Sequence, residues 1–177
     1  MTLIIRKPNL EDLTEEGIPR DFAEVRDYFN DSLANNTQPW IPRQTPITND
    51  EIMKMWVPSA ETNINYVAEV DGKIVGSVTI FYNPSSSKYE HAGKRPIGSM
   101  AGTVATRVDE LLIRKKLNEK VIDELIAMNK KATFPTAVES PATKAMAELG
   151  YKPVRTEFAE EYKRKGISGQ VNIYELP

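Results

Sequence analysis

The period of the hydrophobic pattern changes repeatedly along the chain, and each change predicts an element. Thr2 to Lys7 reads as a strand, after which Phe22, Val25, Phe29 and Leu33 recur at helical spacing over Asp21 to Leu33. A polar, proline-bearing stretch from Asn35 to Pro46 leads into Thr48-Asn49-Asp50-Glu51. A Thr followed three residues later by a Glu has the spacing of a capping box, and Ile52, Met55 and Trp56 supply the apolar face of the helix it predicts. Ile64 to Val70 and Lys73 to Tyr82 are β-rich runs separated by Asp71-Gly72, a dipeptide that tolerates the positive φ angles of a type I′ turn. They predict a hairpin.

Asn83 to Ser99, rich in Pro, Ser, Gly and Lys, predicts a long loop, and Gly102 to Val108 a strand. From Glu110 to Lys131 the positions Leu111, Leu117, Val121, Ile122, Leu125, Ile126 and Met128 predict the longest helix. Phe134 to Val138 is short and β-like. Ser140 then offers a cap, Pro141 suits a first helical turn, and Gly150 stands where a helix ends in a left-handed residue. Two more strands are predicted at Tyr151 to Tyr162 and Gly169 to Leu176, on either side of the basic turn Lys163-Arg164-Lys165-Gly166.

Composition narrows the function classes. The 177 residues, 40% hydrophobic and 27% charged, suffice for one core and predict a single domain over 1–177 with no repeat or linker. A net charge of −2 gives no global field toward nucleic acid or anionic lipid, and the basic turn is too short to argue for nucleic acid. No apolar run approaches a membrane span, so the expectation is a soluble, intracellular protein. Without cysteine there are no disulfides, thiolate nucleophiles or Cys-based metal sites; with His91 as the only histidine, His-based triads and metal centres are poorly served. Walker, Rossmann, EF-hand and zinc patterns are absent from the sequence.

The predicted order, β, α, α, β, β, loop, β, α, β, α, β, β, resembles that of the GNAT acyl-CoA N-acetyltransferases over nearly the whole chain. Tyr66 to Gly76 (YVAEVDGKIVG) is similar to the family's early strand pair, and Ala142 to Val154 (ATKAMAELGYKPV) to its fourth helix and the turn after it. The resemblance implies one α/β domain, a mixed and mostly antiparallel sheet flanked by helices. It also implies acetyl-CoA held by a glycine-bearing loop at the start of the long helix, since helix N-termini bind phosphate by geometry and dipole. Matching Val121-Ile122 and Leu125-Ile126 to the family puts that loop at Ile113 to Asn118, with Lys116 and Asn118 where glycines are expected. The implied cofactor residues are Val108, Arg114, Lys115, Lys116, Leu117 and Asn118. In one reading Arg114, Lys115 and Lys116 replace backbone contacts by charge; in the other they are a solvated basic start to a helix.

Two further positions depart from the family. Met146 stands where a Tyr commonly protonates the leaving thiolate, and Glu139 where an Asn commonly contacts CoA. Candidates for the base that takes the amine proton are Glu90, His91 in the long loop beside it, and Asp109, which also suits a helix cap; Glu69 reads as an outward strand residue. Trp40 and Trp56 read as core or interface aromatics. The expectation is a GNAT-fold protein with a degenerate acetyl-CoA site, serving as a binding, assembly or structural subunit with protein partners or further copies of itself, and virion-associated if phage-encoded. The alternative is an acetyl-CoA-dependent N-acetyltransferase acting on an amine of a small molecule or a protein.

Overall fold

Strand pairing begins where the turn chemistry is strongest. In the computed structural model, which describes residues 2–84, 88–90, 100–101 and 110–177 (the backbone alone at 88–90 and 100–101), Asp71 and Gly72 have φ of 49° and 78°. They join β2 (Ile64–Val70) to β3 (Lys73–Asn83), as predicted. A bulge at Ala68/Glu69 shifts the register, so the residues paired before and after it differ by one. β1 (Leu3–Arg6) pairs antiparallel on the outer side of β2.

The loop predicted at Asn83 to Ser99 needs correction. Lys88–Glu90 form β4, antiparallel to the end of β3 and parallel to β6 (Ala132–Ala137). Local composition gives no strand there; two neighbouring strands impose it. Met100–Ala101 form β5, which returns to pair with Gly76 and Ser77 of β3. The predicted strand Gly102 to Val108 lies outside the described residues. β6 pairs antiparallel with β8 (Gln170–Leu176), and β8 with the edge strand β7 (Arg155–Phe158), giving the order β1-β2-β3-β4-β6-β8-β7. β7 is shorter than the predicted Tyr151 to Tyr162, because Glu160–Tyr162 close into a 3₁₀ turn.

Helices cover both faces. α1 (Arg20–Ala34) and α2, a turn at Asn49–Glu51 that runs on as a π-helical turn over Ile52–Trp56, bury Phe22, Phe29, Ile52 and Trp56 against Val67 and Ile74. The capping box forms: Thr48 accepts from the N–H of Glu51, whose carboxylate accepts from the N–H of Thr48. On the other face α3 (Glu110–Ala127) and α4 (Pro141–Glu148) enclose the larger core, with Ile113, Leu117, Val121, Leu125 and Met146 against Ile64, Ala68, Val78 and Ile80. α3 ends before the predicted Lys131, in a turn where Asn129 takes φ 52°. α4 has the predicted limits, its cap Ser140 accepting from the N–H of Ala142, and Gly150 following at φ 86°.

One ion pair closes the β1 side. Arg6 donates to both carboxylate oxygens of Asp21 and to Glu69, and Asp21 also accepts from the N–H of Asn9. Glu69 is thus a cross-strand partner as well as a strand residue. Although burial favours the neutral acid, the hydrogen bonds from Arg6 and Asn9 hold Asp21 below the ordinary carboxylate range. Its stabilising effect is therefore fully present above the unfolded-state pKa of about 3.9 and is lost as pH falls through the lower folded value. Asp21→Asn is expected to cost about 1.5–3 kcal/mol at neutral pH in urea unfolding, with the gap to the parent closing below about pH 4.

Candidate functional site

The β4 pairing joins two half-sheets, β1-β2-β3 and β6-β8-β7, but engages β6 only at Ala132 and Thr133. Past these residues β6 keeps β8 on one side, and among the described residues no strand pairs with its other side. Three elements meet beside this parting: the N-terminal half of α3, the loop after α1, and the chain between β7 and β8. Trp40, on that loop, packs against the cluster of Ala137, Tyr162, Ile167, Val171 and Ile173. Arg164 holds the same loop by donating to the carbonyl of Ile41. Burial raises the Tyr162 phenol to about 12, so it stays a neutral hydroxyl at physiological pH.

Arg114 lies at the centre. Its side chain is 1% exposed, donates to Glu110 at 2.8 and 3.1 Å, and stands 6.0 Å over the ring of Trp40. Tyr28 of α1 accepts from Gln38 Nε2 at 2.8 Å; burial raises its phenol above the usual value, and the Arg114 charge opposes part of that shift. The reading of Arg114 as part of a solvated basic run is corrected: the guanidinium is an interior cation. The run of charges hides this burial, and the signal for it lies in spacing. Arg114 sits three, seven and eleven residues before Leu117, Val121 and Leu125, on the buried stripe of α3, with Glu110 one turn earlier.

The other implied cofactor residues separate in the same way. Arg114, Lys115, Lys116, Leu117 and Asn118 all lie within α3, beyond its first turn, where backbone N–H groups bond to carbonyls four residues back. Ile113 to Asn118 is helix and not a loop, so the predicted placement of a phosphate-cradling loop there is corrected. Leu117 is fully buried, and Asn118 donates to the Met146 sulfur at 3.4 Å inside the α3–α4 contact. Lys115 pairs with Glu148 at 3.4 Å and Lys116 with Glu119 at 2.7 Å. Lys116 is exposed and Lys115 half-buried.

Met146 is fully buried in the core, and Glu139 accepts from the N–H of Ser168 at 2.8 Å. Trp56 is a core aromatic, edge-on to Phe22 at 5.9 Å. Of the candidate bases, the Glu90 backbone pairs with Phe81 and Thr133, where the half-sheets still touch. His91, Asp109 and the cofactor candidate Val108 lie outside the described residues. Among the described residues no group of three or more acidic or His side chains could hold a metal ion, and no helix is long and apolar enough to cross a membrane.

No family model and no curated protein sequence matches the chain. Solved structures do. An N-acetyltransferase from Staphylococcus aureus Mu50 superposes with a TM-score of 0.71 at 18% identity, covering 99% of this chain and 98% of the other. A GNAT superfamily phosphinothricin acetyltransferase from Sinorhizobium meliloti, solved in complex with acetyl-CoA, gives 0.73 at 14% identity over 100% and 89%. A spermidine N-acetyltransferase from Vibrio cholerae, in complex with CoA and spermine, gives 0.68 at 16% over 98% and 94%. At such identities it is backbone architecture that is shared, over almost the whole length of each chain. The chain has the GNAT acetyltransferase fold.

Proposed function

We propose that the chain is an acetyl-CoA-dependent N-acetyltransferase that acts on an amine of a small molecule or a protein. The observation that carries this reading is the match over nearly the whole chain to acetyltransferases solved with acetyl-CoA or CoA. The parting of the half-sheets beside the N-terminal half of α3 supports it. When bound, acetyl-CoA would supply the thioester carbonyl that the amine attacks.

As a set, Arg114 to Asn118 does not suit a pyrophosphate, because Arg114, Leu117 and Asn118 are interior. What suits an anion is the N-terminal end of α3, where the dipole of an 18-residue helix is positive, together with the Lys115 and Lys116 side chains. Glu110 in that first turn would oppose an anion, and Arg114 neutralises it at 2.8 Å. In this account Arg114 is a positioning residue. Glu90, His91 and Asp109 remain the proposed candidates for taking the amine proton, alone or through a water.

A second reading, a non-catalytic binding or assembly subunit, is supported by Met146. This position, where the resemblance leads one to expect a proton donor, is a buried thioether inside the core.

Calorimetric titration separates the two. Acetyl-CoA is expected to bind with a dissociation constant in the micromolar range, and the double substitution Lys115→Ala/Lys116→Ala to weaken it by about tenfold or more. Absence of heat at about 1 mM acetyl-CoA would overturn the acetyltransferase reading. Arg114→Ala is unsuitable as a binding probe, since it should cost about 2–4 kcal/mol in urea unfolding by opening a cavity beside Trp40. Arg114→Met, which keeps the volume without a charge, should recover most of that loss.

A further inference from the structure

Arg164 differs from the other described arginines in what surrounds its charge. Arg6, Arg20, Arg26, Arg43, Arg114 and Arg155 each have a carboxylate oxygen within 2.9 Å. Arg164 pairs with no carboxylate among the described residues. Three main-chain carbonyls hold its guanidinium instead: Nε donates to Tyr162 at 3.2 Å, one terminal nitrogen to Glu161 at 3.0 Å, and the other to Ile41. The side chain is half-buried, and desolvation lowers its pKa from the ordinary arginine value, as it does for a cation that gains no anionic partner.

The three bonds tie the chain between β7 and β8 to the loop after α1. A tie of this kind needs donors and not a net charge, and a charge drawn from water without an anion carries a desolvation cost. The charge therefore calls for its own explanation. A guanidinium has five N–H groups in a planar fork, so three bonds leave two, one on each terminal nitrogen. Two N–H groups on neighbouring nitrogens are what a carboxylate takes up in a bidentate pair. The carbonyls already fix the fork, so little ordering remains when an anion arrives. The place is specific as well. Ile41 follows Trp40, which packs on the cluster containing Ala137, the last residue of β6, beyond the point where β4 leaves that strand. Arg114 lies over the same indole, but Glu110 meets its charge at 2.8 Å.

We propose that Arg164 binds a carboxylate of the acceptor, so that the amine to be acetylated belongs to a small molecule of the amino-acid type. Arg164 has this role only if the chain is the acetyltransferase proposed above. The anionic groups of the cofactor are assigned to a different element, the N-terminal end of α3 with Lys115 and Lys116. A carboxylate on the Arg164 fork anchors one end of the acceptor beside the parting of the half-sheets and restricts the orientations open to its amine. Alkylamines and polyamines carry no anion. They would leave the guanidinium unpaired, and the site disfavours them.

The chain has no cysteine, so thiol released from acetyl-CoA can be followed with a disulfide dye without background from the protein. Each common α-amino acid is compared with its own carboxamide, which keeps the shape and removes the charge. At least one acid is expected to react with a kcat/KM about tenfold or more above that of its amide. Arg164→Gln should abolish this preference by raising KM for the acid, with the affinity for acetyl-CoA in calorimetry kept within about twofold. Arg164→Lys, which keeps the charge and loses the fork, should recover part of the preference. A purely structural tie would instead lower turnover of acid and amide alike, and thermal unfolding of both variants reports whether the fold is intact. Independently of turnover, the Nε–H resonance of Arg164, identified by its loss in Arg164→Lys, is expected to shift with at least one acid and not with its amide. Equal use of acids and amides, an equal loss for both in Arg164→Gln, or a loss that falls on acetyl-CoA binding would overturn the proposal and leave the acetyltransferase reading standing. No thiol released with any amine, while the Arg164 resonance still shifts with an acid alone, would overturn the acetyltransferase reading and keep the carboxylate site.

Discussion

The arrangement depends on how α3 is buried. One stripe of the helix, Ile113, Leu117, Val121 and Leu125, packs on the hairpin half of the sheet, and full burial of four such side chains contributes about 6–12 kcal/mol before entropy is counted. The same burial draws Arg114 and Asn118 out of water. Desolvating a guanidinium costs several kcal/mol unless its charge and donors are met. Glu110 and the Trp40 ring meet them for Arg114, and the Met146 sulfur accepts from Asn118. The polar edge of α3 thereby fixes what lies beside it. Trp40 is brought toward α3 from the loop after α1, and Met146 from α4.

This constraint links architecture to chemistry. A helix end beside a parted sheet is a place for an anionic group, provided the negative charge already there is neutralised. Arg114 does so for Glu110 from inside the protein, with Lys115 half-buried and Lys116 exposed beside it. Basic residues that look equivalent in sequence therefore have unequal work. Arg114 is committed to the interior, while Lys115 and Lys116 pair with Glu148 and Glu119 nearer the surface.

Much of the fold was legible because local chemistry and global fold agree at its punctuation. Asp71-Gly72, the Thr48 to Glu51 box, and Ser140 with Gly150 each act through backbone geometry over a few residues, and each stands where the sequence placed it. β4 was not legible, since Lys88–Glu90 are strand only because β3 and β6 flank them. The site was less legible still. A Lys/Arg run on a helix reads as solvated, and burial of its first member depends on Trp40 and Tyr28, 74 and 86 positions earlier in the chain. The resemblance placed a loop at Ile113 to Asn118, and packing against the sheet holds those residues in helix. The charges were correctly noticed, and their division between interior and surface followed only from packing.

An anion site at the N-terminal end of α3 would show in the backbone amide chemical shifts of the labelled protein as acetyl-CoA is added. The largest changes are expected on Glu110 to Lys116, with the amides of α1 and β7 nearly unmoved. Changes centred elsewhere, or none at a saturating concentration, would contradict it.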